Sequence, residues 1–174
     1  MAKLLDDRDQ RLSVTVLLIE PSNDPKRSAR SNSIRFVNLP QPEPPSNSTA
    51  SGLSLHIQSI ESHKKHVHNE AAKSRNLAGF VVDIFCTSMI DVAHELGVPS
   101  YVFFTSGAAK LGLLFHFQGL LDYQNQDPTA CKSLNDEISV PSYGSPVPVK
   151  LLPAMLLGKD GGNQMAMNMA RSLR

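Results

Sequence analysis

From Leu77 to Leu121 the sequence alternates two short apolar runs with two longer helical ones, and that order constrains the fold more than any other feature. Leu77 to Phe85 (Leu-Ala-Gly-Phe-Val-Val-Asp-Ile-Phe) has the length and the β-branched, aromatic character of a strand. Thr87 to Leu96 follows as a helix, with Thr87 or Ser88 as its cap and Gly97 just past its end. Pro99 precedes a second strand, Tyr101 to Phe104, and Thr105-Ser106-Gly107 opens a further helix that runs to about Leu121. Strand, helix, strand, helix predicts a parallel sheet covered by helices. The expected fold class is therefore α/β, a doubly wound parallel sheet.

The rest of the chain fits the same pattern. Lys3 to Arg11 is rich in helix formers, with Leu4 and Leu5 as its apolar pair. Leu12 to Ile19 is an apolar, β-branched run expected to be a strand buried on both faces. Pro21 to Pro25 breaks it, and Ile34 to Val37 gives a second short strand. Pro40 to Ser51 is a Pro/Ser/Asn-rich surface loop. Leu53, Ile57, Ile60, Val67 and Ala71 then recur at helical spacing, which predicts an amphipathic helix ending near Arg75. Gln124 to Pro148 reads as a long polar connection, Gly158 to Gly162 as a turn, and Met165 to Arg174 as a helix. At 174 residues the chain is long enough for one ordinary domain.

Composition removes several classes of function. Lys plus Arg is 17 and Asp plus Glu is 16, a net charge of +1. A nucleic-acid binder or a peripheral binder of acidic membranes needs a positive excess or a basic patch. The densest basic stretch, around Lys64 and Lys65, has acidic residues on both sides. No window approaches the ~20 apolar residues of a membrane span, and the N-terminus carries no secretory signal. A cytoplasmic location is expected. Two widely spaced cysteines, Cys86 and Cys131, make no disulfide framework. Asn47-Ser48-Thr49 matches a glycosylation acceptor but is read as a coincidence in a polar loop.

Ligands of open parallel sheets bind beyond the carboxyl ends of the strands. Two strand ends here carry chemistry. Asp83, near the end of the most apolar strand, either orients and stabilises a histidine or caps the helix that follows. Thr105-Ser106-Gly107 either offers donors to a sugar or phosphate or is an ordinary helix cap. His63 and His66 can share a helix face, but His68 points elsewhere and no Cys or carboxylate cluster completes a metal site. No metal is expected, and those histidines read as a solvated helix face. His94 and His116 read as packing or pocket-lining residues, and Met155, Met165, Met167 and Met169 as gap-filling core. No GxGxxG, GxxxxGK[ST], GxSxG or HExxH motif is present.

The stretch from Leu77 to Phe117, with Asp83 to Gly107 as its most specific part, closely resembles plant UDP-glycosyltransferases that glucosylate flavonoids, anthocyanidins and other small phenols. Ala2 to Ile19, Val140 to Pro153 and the terminal Gly-Gly and helix fit the same family, so the resemblance covers essentially the whole chain. It implies a two-domain GT-B architecture of Rossmann-like halves. The N-terminal half binds the acceptor and the C-terminal half the UDP-sugar. It also implies a general-base histidine after the first strand, with an aspartate at the position of Asp83 holding and charging it. Thr105 would then lie beside the donor sugar and phosphates, while Leu114 and His116 help line the acceptor pocket. The co-substrate is a UDP-sugar, no further cofactor is needed, and the protein is expected to be monomeric.

By the same resemblance, the first strand and its histidine loop would precede Met1 and the UDP-sugar domain would follow Arg174. Residues 1–174 are thus expected to be a partial N-terminal acceptor-binding domain, inactive and weakly stable alone because inner strand edges stay unpaired. Two other readings remain open: a non-catalytic module that holds a phenolic ligand, and an unrelated flavodoxin-like domain, for which no phosphate loop is present.

Overall fold

The computed structural model describes residues 1–19, 34–41, 52–127, 130, 133, 135–157 and 162–173. The expectations placed on Pro21 to Pro25, on the Pro40–Ser51 loop beyond Gln41, on Cys131 and on most of the Gly158–Gly162 turn lie outside them. Helix α1 (Ala2–Arg8) packs on two strands, β1 (Val14–Leu18) and β2 (Ile34–Asn38), which pair in parallel with Val14 opposite Ile34 and Leu18 opposite Asn38. Helices α2 (Gly52–Ser62) and α3 (Lys64–Ala71) follow. Strand β3 (Phe80–Asp83) pairs in parallel with β4 (Ser100–Phe103), through a 3-10 segment (Ile84–Met89) and α4 (Ile90–Glu95). Helix α5 (Ala108–Gln124) leads to a small antiparallel ribbon, β5 (Glu137–Ile138) with β6 (Val147–Pro148), then α6 (Ala154–Leu157) and α7 (Gly162–Ser172).

The α/β class and the parallel pairing are as the alternation predicts. Among the described residues the sheet is two separate parallel pairs, β1–β2 and β3–β4, in keeping with the unpaired inner edges expected of a partial domain. Burial follows from that. Strand β1 is only half-buried, with Thr15 exposed, instead of covered on both faces. On β3–β4 the alternation is plain: Val82 packs inward, while Val81, Tyr101 and Phe103 stay exposed on the other face.

Two cores result. Leu39, Ile60, Val67, Val82, Met89 and Val92 join the inner face of the strands to α2, α3 and α4. Leu113, Leu114, Phe117, Val140, Leu156 and Met167 lock α5, α6, α7 and the ribbon together. Of the methionines read as core, Met165, Met167 and Met169 are buried and Met155 is partly buried against the same cluster. In the described part of the polar connection after Gln124, Val140 is buried and Ile138 and Val147 pack against the same core.

The single helix expected to end near Arg75 is two helices that break at His63. The stripe itself is real, since Ile60 and Val67 are both buried. The solvated-face reading of His63 is corrected: the ring is 1% exposed and its Nδ1–H donates to the Ser59 carbonyl at 2.6 Å. At the break the His63 N–H donates to the Ile60 carbonyl, while the ring takes the Ser59 carbonyl four residues back. His66 lies edge-on to that ring, with ring centroids 6.1 Å apart.

Candidate functional site

Because β3 and β4 are parallel and Asp83 is opposite Phe103, their carboxyl ends form one edge. Adjacent strands lie about 4.8 Å apart, and Thr105, two residues past the end of β4, is at most roughly 7 Å further along. The fold therefore brings Asp83 and Thr105 to the same edge, and both are exposed.

Asp83 ends its strand in extended conformation, and its Oδ1 accepts the Phe85 N–H at 2.9 Å. It caps the 3-10 segment, so the expected capping roles of Thr87 and Ser88 are corrected: the helical turn begins three residues earlier, and Thr87 is buried instead. The carboxylate is not buried among apolar residues as its sequence context suggests, because alternation along β3 turns Asp83 to the open face with Val81. One oxygen is held by the cap, and Oδ2 makes no hydrogen bond among the described residues. Behind it, burial pushes the Cys86 thiol up to about 11, and the charge of Asp83 adds to the shift.

At Thr105 the cap reading also gives way. Gly107 is the N-cap of α5, and no side chain caps that helix. The Thr105 and Ser106 hydroxyls are thus free of that duty, at the positive end of a 17-residue helix. The stop at Gly97 is as expected, with φ at +67°.

Leu114 and His116 part company. Leu114 is 1% exposed, packs in the α5–α7 core and lines neither of two clefts found among the described residues. His116, two residues on, faces the other side of α5 and lines an open groove of about 360 Å³ with Phe115, Tyr123 and Ser142. At 1.5 Å per residue, His116 is about 12 Å along the helix from Ala108. The strand edge and the His116 groove are distinct places.

A second cleft of about 460 Å³ opens beside the edge, between α2, the 3-10 segment, α4 and α7. Phe85 and His94 line it, along with a Lys64–Asp91 ion pair of 2.6 Å that ties α3 to α4. Phe85, 48% exposed, escaped the sequence reading because it looked like the last residue of a buried strand. Among the described residues no three His, Cys, Asp or Glu side chains gather as a metal site. No helix among them is long and apolar enough to cross a membrane.

No family model matches the chain. It is 44% identical over 186 residues to UDP-glycosyltransferase 71E1 of Stevia rebaudiana, covering 100% of this chain and 38% of that protein. It is 44% identical over 177 residues to the putative UDP-glucose flavonoid 3-O-glucosyltransferase 3 of Fragaria ananassa, covering 92% of this chain and 37% of that protein. Among solved structures, Medicago truncatula UGT71G1 complexed with UDP-glucose matches with a TM-score of 0.80 at 30% identity, over 98% of this chain and 39% of that one. A Siraitia grosvenorii transferase in complex with UDP matches with a TM-score of 0.79 at 38% identity, over 99% and 35%. The chain thus spans about two fifths of the length of the curated relatives it matches.

Proposed function

We propose, from the premise that the chain belongs by homology to the plant UDP-glycosyltransferases, that it is the acceptor-binding part of an enzyme moving a sugar from a UDP-sugar to a small phenol. The sugar in this reading is glucose, the acceptor a flavonoid or anthocyanidin hydroxyl, and the anomeric configuration inverts. The observation that carries it is the shared edge of β3 and β4. An exposed carboxylate with one uncommitted oxygen stands there beside an uncommitted hydroxyl and the N-terminus of α5.

Each group has a part. A histidine from outside this chain acts as the base. Asp83 accepts a hydrogen bond from its second ring nitrogen, fixes the tautomer and stabilises the imidazolium once it has taken the acceptor's proton. The phenolic oxygen then attacks the anomeric carbon as the bond to UDP breaks. Thr105 donates to the sugar or phosphates, aided by the dipole of α5. Leu114 acts as packed support beneath the acceptor side, and His116 contributes from the outer groove. UDP-sugar is the sole co-substrate, and the protein works as a cytoplasmic monomer.

Incubating a polypeptide that contains this chain at its relatives' length with UDP-glucose and quercetin tests the reading. A product heavier by one hexose, of β configuration, is expected. Saturable quercetin binding with no product would favour the non-catalytic binding module.

A further inference from the structure

Helix α5 carries one residue that its own pattern does not call for. Residues three, four and seven apart share a helix face, so Lys110 lies on the stripe of Leu113, Leu114 and Phe117, all at most 1% exposed. A lysine at the head of a core stripe breaks the apolar pattern, and a cation in the first turn also opposes the positive end of the helix. Lys110 is half-buried all the same, and its ammonium makes no ion pair and no side-chain hydrogen bond among the described residues. A residue that breaks two local rules without a structural partner is expected at a functional site.

The packing says where the ammonium goes. Leu113 and Leu114 share a core cluster with Ile84, and Phe104 packs against it. Ile84 follows Asp83 and Phe104 precedes Thr105, so the inner face of α5 abuts the edge where those two stand. Helical side chains lean toward the N-terminus, and Lys110 is about 4.5 Å along the axis from Gly107. Its stem therefore runs out of the core toward that edge. The outer side of the same turns is closed. A Cβ on Gly112 would meet the Ser142 Cβ at 2.3 Å and its Oγ at 2.4 Å, so only glycine lets the Pro141–Ser142 loop close on the helix. Ser142 donates its hydroxyl to the Ala109 carbonyl at 3.1 Å, and buried Val140 anchors the loop from behind. This contact fixes the rotation of the first turns and with it the direction of Lys110. Asp83 does not neutralise the ammonium, since no ion pair joins them among the described residues.

We infer that Lys110 is a specificity-determining residue of this edge, receiving the carboxylate of an acidic phenolic acceptor. The inference rests on the reading of the edge as the acceptor side. A half-buried ammonium binds a carboxylate more strongly than an exposed one does, and a neutral acceptor leaves it unpaired, so both effects favour the acid. The diphosphate of the co-substrate is the other anion of the reaction, and the test separates the two.

The test is glucose transfer to 4-hydroxycinnamate and to 4-hydroxycinnamide, which have nearly one shape and differ in charge. The protein is a polypeptide that contains this chain at its relatives' length, and calorimetry gives the Kd of each compound. The wild type should favour the acid by roughly tenfold or more in kcat/KM, mainly through KM, the scale of one hydrogen bond to a charged group. Lys110→Met keeps the stem over the core and should lose that preference at an unchanged thermal midpoint, while Lys110→Arg should keep most of it. Equal kcat/KM for the two compounds in the wild type, or an equal fall for both in Lys110→Met, overturns the inference. So does a raised KM for UDP-glucose with the acid preference intact, which gives the ammonium to the diphosphate. If neither compound nor quercetin is glucosylated, the transferase reading fails on its own. A Kd preference for the acid that Lys110→Met abolishes then still supports the inference, and equal Kd values overturn it.

Discussion

At the residue scale the account turns on Asp83, which does two things that substitution can separate. Its side chain caps the turn after β3, and its charge faces the open edge. Asp83→Ala should cost about 1 kcal/mol of stability through the lost cap, measured by denaturant unfolding. Asp83→Asn keeps an acceptor oxygen and should cost far less. A second prediction concerns Cys86, whose thiol lies at about 11 instead of the ordinary value of 9.0, through burial first and the Asp83 charge second. Two units leave roughly a hundredfold less thiolate near neutral pH, so iodoacetamide should alkylate Cys86 about that much more slowly in the folded chain than in urea. Since the folded thiol holds its proton more tightly than the unfolded one, its contribution to stability is complete below pH 9 and is lost as pH rises toward 11. Asp83 was visible in the sequence as a charge at a strand end. Its exposure was not, because an apolar run does not say which of its two faces is covered.

At the element scale, helix α5 is held by contacts that can be tested one at a time. Phe117, fully buried between α5 and α7, should cost about 3–5 kcal/mol when cut to alanine. Gly112→Ala should cost about 1–3 kcal/mol by forcing Ser142 off the helix. The double change Gly112→Ala with Ser142→Gly should recover most of that loss, because it removes both clashing atoms; failure to recover would mean that the loop is not docked as described. Arg171 reaches Asp122 with two hydrogen bonds, 2.6 and 2.8 Å, and joins the last turns of α5 and α7. Helices α5 and α7 were legible, α5 as a long apolar run after Thr105-Ser106-Gly107 and α7 as the helical segment expected from Met165. The break at His63 was not, because the apolar stripe continues across it, and neither was the loop contact, which pairs residues 30 apart in sequence.

At the scale of the whole molecule, the alternation of strands and helices was enough to give the class and the parallel pairing. It could not give the neighbours, since strand periodicity carries no record of which edges meet. The result, among the described residues, is two parallel strand pairs with open edges beside a core in which α5 to α7 pack with the β5–β6 ribbon. Amide hydrogen exchange should therefore be uneven: Phe117 and Met167 protected at least a hundredfold more than the amides of β1 and β3. Equal protection would imply that the two pairs form one sheet in solution. The central claim, that the edge of β3 and β4 is the acceptor side of a sugar-transfer site, is tested most directly by glucose transfer from UDP-glucose to quercetin. The measurement compares a polypeptide that contains this chain at its relatives' length with its Asp83→Asn variant. The account predicts a β-glucoside from the first and a rate roughly 10²–10⁴-fold lower from the second, at an unchanged thermal midpoint. Equal rates from the two proteins would contradict it.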